Sequence, residues 1–72
     1  MNIAKYDMIC GTVIEKRRNG VIVQFDNAKG FCKGNMNIGD NGWFTVTNYR
    51  IDMSGLFLTV ECDSVIEYAI VA

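Results

Sequence analysis

Hydrophobic and polar residues alternate along this chain in short runs, and glycine-rich stretches separate the runs. Alternation over about four to eight residues marks a strand with one buried face. Val21-Ile22-Val23-Gln24-Phe25 is β-branched and aromatic, with Val21, Val23 and Phe25 facing in and Ile22 and Gln24 facing out. Leu56–Glu61 repeats the pattern, with Leu56, Leu58 and Val60 inward and Phe57, Thr59 and Glu61 outward. In Trp43–Asp52, Phe44 and Val46 face one way and Thr45 and Thr47 the other. Tyr49 and Ile51 fall in the phase of Thr45, so burying Ile51 requires a bulge near Asn48. Tyr6–Lys16 reads as a long first strand in which Gly11 marks a bulge or a bend, and Gly30–Gly34 reads as a short third strand. Asp26–Gly30 and Asp52–Gly55 carry turn chemistry, and Gly39-Asp40-Asn41-Gly42, in the loop Asn35–Gly42, is too rich in breakers for a stable helix.

The stretch Gly11–Asp26 reads as a hairpin with a cationic tip of Lys16, Arg17 and Arg18. Asn19-Gly20 is suited to the positive backbone dihedrals of a tight loop. A two-residue Asn-Gly loop pairs Ile14 with Phe25, whereas a three-residue loop with Gly20 left-handed pairs Val13 with Phe25. Both registers put two charged residues on the Val21/Val23/Phe25 face, so either the tip projects past the core or the first strand is bulged. Residues 63–72, DSVIEYAIVA, carry a capping-box pattern at Ser64 and Glu67, yet Val65, Ile66, Ile70 and Val71 favour a strand. The expectation is a sixth, edge strand or an extended tail, covered by the barrel bottom or by a second subunit in a homodimer.

Seventy-two residues form one domain, and half of them are hydrophobic, enough for a small core, with eight aromatic residues to supply large buried areas. The pattern predicts a barrel over about residues 6–62 and a tail over 63–72. The formal net charge is −1, unlike that of a strongly electrostatic nucleic-acid binder, although local charge distribution matters more than the total. Cys10, Cys32 and Cys62 are widely spaced and read as small buried hydrophobes in a reducing compartment. Three scattered thiols and no histidine predict no metal site and no cofactor, and they argue against an enzyme, since general acid–base work most often uses histidine. No apolar run is long enough to span a membrane, and MNIAKYDM lacks a charged leader and an apolar signal core, so the expected location is cytoplasmic.

The order of parts resembles an OB-fold barrel of the ribosomal protein S-one RNA-binding type. The matching motifs are Gly11-Thr12-Val13, Asn19-Gly20-Val21, Gly30-Phe31-Cys32-Lys33, Gly39-Asp40 and Ile51-Asp52-Met53-Ser54-Gly55. The stretch Gly11-Thr12-Val13-Ile14-Glu15 also resembles bacterial translation initiation factor one. The resemblance implies an all-β fold: a small five-stranded Greek-key OB barrel with a C-terminal extra strand or tail. It implies binding of single-stranded RNA or DNA across the second and third strands. At the positions where that family presents stacking aromatics this chain has Asn19 and Ile22, Lys33 stands for its histidine and Leu56 for its arginine.

Single strands need cations for phosphate and π-faces for bases. The candidate nucleic-acid-binding residues are therefore Lys16, Arg17, Arg18, Ile22, Lys29, Phe31, Lys33 and Phe57. Phe31 and Trp43 also suit the core, and that reading is preferred for both, which makes Phe57 the best exposed ring. The expected function is weak, sequence-tolerant binding of single-stranded RNA or DNA. The alternative is a protein-interaction or adaptor domain that has lost nucleic-acid binding.

Overall fold

A computed structural model describes residues 4–66 of the protein. Its strands are β1 (Met8–Arg17), β2 (Gly20–Gln24), β3 (Lys29–Lys33), β4 (Asn41–Asp52) and β5 (Gly55–Ile66). They form a closed barrel in the order β1-β2-β3-β5-β4. All neighbours are antiparallel except β3 and β5, which run parallel. The fold is thus the small all-β barrel of OB-like architecture that the sequence predicts. The described residues contain no helix, and so none that is long and apolar enough to cross a membrane.

The ring closes because β1 serves two neighbours: Met8–Thr12 pairs with β4 and Thr12–Arg17 pairs with β2. Gly11 sits beside this handover. A Cβ there would lie 2.5 Å from Phe25 Cε1 and 2.6 Å from Val23 Cγ1, so glycine lets the Phe25 ring rest on the β1 backbone. The irregularity expected at Gly11 falls instead between Val13 and Glu15, where Ile14 is the extra residue.

Neither hairpin register expected from the sequence occurs. Arg17 pairs with Gly20, leaving Arg18-Asn19 as the loop, and beyond the bulge Val13 pairs with Val23. Gly20 and Asn19 have no positive φ; among the described residues only Tyr6, Gly34, Gly39 and Gly55 do. What Gly20 supplies is room. A Cβ on it would stand 2.3 Å from the Cys32 carbonyl oxygen and 2.6 Å from the Phe31 ring, both on β3. The bulge removes one of the two charges from the inward face, and the position of the tip accounts for the other. Lys16, opposite Val21, is exposed at the end of the barrel, and Val13 turns into the core.

The core is Val13, Val21, Val23, Phe25, Ala28, Cys32, Met36, Phe44, Val46, Leu58 and Val60, with Ile9 and Leu56 packed against it. Phe25 and Phe44 meet edge to face, with ring centroids 5.7 Å apart. The loop between β3 and β4 seals one end by burying Met36. It is tied to β1 by hydrogen bonds from the Val13 amide to the Asp40 carbonyl and from the Gly39 amide to the Val13 carbonyl, both 2.8 Å.

Several sequence expectations are corrected. Only Cys32 is a core cysteine; Cys10 and Cys62 are exposed. Trp43 is 43% exposed, because it pairs with Cys10 on the outer face of the barrel. A register shift does occur between Val46 and Asn48, and it turns Ile51 into the phase of the core. Ile51 is nevertheless 77% exposed, because by that point the β4–β5 hairpin has run past the end of the barrel. Within the tail, residues 63–66 continue β5 alongside β4 instead of starting a new strand, so Ser64 caps no helix. Residues 67–72, which carry the rest of the expected tail and the dimer contact assigned to it, lie outside the described residues.

Crowding rather than turn conformation makes Gly20 necessary, and the two causes separate experimentally. Gly20→Ala should lower stability by about 1–3 kcal/mol. Gly20→Asn, which a left-handed turn position would accept, should be no better tolerated, as read by urea denaturation. An asparagine variant as stable as the parent would show that the turn conformation is what counts.

Candidate functional site

The outer faces of β2, β3 and β5 are brought together by register. Ile22 stands opposite Phe31, Phe31 beside Thr59, Lys29 beside Phe57, and Phe57 opposite Arg50. Between these strands and the β1–β2 tip lies a groove of about 550 Å³, lined by Arg17, Arg18, Asn19, Ile22, Phe31, Arg50 and Phe57. Ile22 is 8% exposed and lies outside the core cluster, so it forms part of the groove lining rather than a projecting patch. Phe31 and Phe57 are half-buried on the outer face, which leaves part of each ring open to the groove. The assignment of Phe31 to the core is therefore corrected.

The three groove arginines differ in how they are held. Arg17 is ion-paired through its Nε to Glu15, two residues back on the same strand. Arg50 lies over the Phe57 ring, with its guanidinium carbon 5.0 Å from the ring centroid, and its Nε is 3.6 Å from an Asp52 carboxylate oxygen. Arg18, in the loop, has no ion-pair partner among the described residues. A guanidinium stacked on an aromatic face is pre-positioned, and so presents its charge with less entropy left to lose.

The other predicted residues are divided. Lys29 lies in a neighbouring depression of about 380 Å³ that shares Phe57 and includes Gln24, Asn27 and Ser54. Lys33 is opposite Gly20 on the same outer face, outside the groove lining. Lys16 shares the face of Val21 and is not brought to the groove. A larger depression of about 710 Å³ on the β1 flank, walled by Met8, Ile14, Trp43 and Asp26 among others, has no lysine or arginine in its lining.

Arg50 and Asn19 are the groove residues that the sequence reading missed. The signal for Arg50 was present in the bulge near Asn48. In unbroken alternation Arg50 shares the phase of Phe44 and Val46, and one extra residue moves it to the outer face opposite Phe57. Among the described residues, no group of three or more His, Cys, Asp or Glu side chains is placed to hold a metal ion. Burial pushes the thiols of Cys32 and Cys62 above their usual range, and Asp63 adds to the effect at Cys62.

No known protein family matches the chain, and no curated protein matches it. The resemblance to the S-one RNA-binding type rests on its short motifs.

At the β4–β5 turn, the Ser54 hydroxyl and amide donate to Asp52 Oδ1 at 2.6 and 2.9 Å. These bonds, with Arg50 adding a smaller share, hold the Asp52 carboxyl below the usual carboxylate range. A carboxyl whose folded pKa is depressed contributes stability above its unfolded pKa and loses it as pH falls through the folded value. Ser54→Ala should return the Asp52 titration toward the usual carboxylate range. The turn should then loosen at a higher pH than in the parent, as followed by carboxyl chemical shifts in a pH titration.

Proposed function

We propose that this protein binds single-stranded RNA or DNA, weakly and with little sequence preference, in the groove between the β1–β2 tip and the outer faces of β2, β3 and β5. The observation that carries the reading is the pairing of two partly open rings, Phe31 and Phe57, with three arginines in one groove. Five of the seven lysines and arginines, Arg17, Arg18, Lys29, Lys33 and Arg50, lie in or beside it, so a chain of net charge −1 presents a locally cationic face. The motif resemblance to the S-one RNA-binding type and to initiation factor one supports the same reading, as does the known use of this face in OB barrels. We take the protein to be a non-catalytic cytoplasmic binding module.

Each base stacked on a ring contributes about 1–3 kcal/mol, and phosphate contacts alone bind only weakly at physiological salt. Two rings and three arginines, one of them held by Glu15, suit micromolar or weaker affinity. A protein-interaction role is the second reading. It is favoured by the exposed apolar side chains of Tyr49, Ile51 and Met53 on the β4–β5 hairpin.

Fluorescence anisotropy with labelled oligonucleotides of about ten residues tests the proposal. Binding should be measurable at low salt and fall steeply between about 50 and 200 mM salt. Phe57→Ala should weaken it by about 1–3 kcal/mol, and Arg18→Ala should flatten the salt dependence. Glu15→Gln, which frees Arg17, should tighten binding by less than about tenfold, since an exposed ion pair is worth at most about 1 kcal/mol. Absence of binding at low salt, or binding indifferent to Phe57 and Arg18, would remove the proposal.

A further inference from the structure

Among the described residues, the β4–β5 hairpin leaves a backbone edge without a partner. Residues 41–45 of β4 pair with β1, and Val46 exchanges hydrogen bonds with the N-terminal segment: its amide with the Asp7 carbonyl and its carbonyl with the Tyr6 amide. From Thr47 to Asp52, β4 has only β5 beside it among the described residues. The side chains on this edge are sorted by face. Tyr49, Ile51 and then Met53 at the turn make an exposed apolar row, with Ile51 and Met53 the most exposed. Arg50 and Asp52 lie on the opposite face, near enough to each other for the 3.6 Å contact between them. Unpaired edges of this kind are ordinarily blunted by proline or lysine. The chain has no proline, and no lysine stands on this edge.

We propose that the free β4 edge pairs antiparallel with the same edge of a second copy of this chain, about a two-fold axis at Ile51. Residues directly opposite in an antiparallel pair share a face. With Ile51 opposite its counterpart, Arg50 of each copy stands opposite Asp52 of the other, and Tyr49 comes alongside the turn that carries Met53. One face of the junction then carries two oppositely charged pairs, and the other a continuous apolar strip. Centring the pair on Arg50 instead puts two guanidiniums against each other. A shift by a single residue sets apolar side chains against charged ones, because every side chain changes face. The self-complementary order Arg50-Ile51-Asp52 therefore selects both the partner and the register.

The contact is short, which places the dimer in the transient class of interfaces. The two-fold lies perpendicular to the sheet, so the two copies present the outer faces of their hairpins, with Arg50 and Phe57, on the same side. The inference does not depend on the nucleic-acid reading, and its test uses the protein alone.

Sedimentation velocity on the full chain over a wide concentration range, with folding checked by circular dichroism, provides that test. The parent should shift from monomer to dimer as concentration rises. Arg50→Asp and Asp52→Arg should each stay monomeric where the parent dimerises, because each sets like charges across the two-fold. An equimolar mixture of the two variants should dimerise again, since each then meets its opposite. Ile51→Lys, which leaves the Asp52–Ser54 turn intact, should be monomeric throughout. A parent that stays monomeric up to its solubility limit overturns the proposal. So does dimerisation that survives Ile51→Lys and both charge variants, or a mixture that stays monomeric while the parent associates.

Discussion

The barrel depends on the close approach of the Phe25 ring to the backbone of Gly11. That contact lies beside the point where β1 changes partners from β4 to β2, and it seats Phe25 where it meets the ring of Phe44 edge to face. A domain this small buries a modest fraction of its surface, so each large aromatic in the core carries a sizeable share of its stability. The same demand for close approach recurs at Gly20, where β2 lies under the Phe31 ring and the Cys32 carbonyl of β3. Two glycines thus act by the absence of a side chain, one inside the barrel and one beneath the groove.

Two irregularities in otherwise regular strands set most of what the surface presents. The shift at Ile14 takes Val13 into the core and leaves Glu15 and Arg17 paired on the outside next to the groove. The shift between Val46 and Asn48 turns Arg50 outward over Phe57 and carries Tyr49 and Ile51 to the other face of a hairpin that outruns the barrel. One extra residue in β4 therefore builds part of the groove and exposes the apolar row on the opposite face. Bulges commonly re-aim side chains next to sites in this way.

The electrostatics follow from placement rather than from composition. Near-neutral overall charge conceals a face where five cations gather around two rings, with Glu15 and Asp52 standing against two of the arginines. Such exposed ion pairs are weak and screened by salt, so they moderate the cationic face without cancelling it. A net charge of −1 is thus compatible with a locally cationic face.

Alternation of apolar and polar residues was enough to determine an all-β chain, the approximate extent of its strands, the inward set Val21, Val23, Phe25, Leu58 and Val60, and the placement of Phe57 outside. Strand periodicity is a local property, and one buried face imposes it wherever the chain runs. The bulge near Asn48 was legible for the same reason, though its purpose was not. The hairpin register, the exposure of Cys10, Cys62, Trp43 and Ile51, and the convergence of Arg50 on Phe57 were decided only by tertiary structure. These depend on which strand lies alongside, how closely its backbone approaches, and where the barrel ends. Gly20 shows the difference most clearly. Beside asparagine it reads as a turn former, yet its work is to make room for a strand that follows nine residues later.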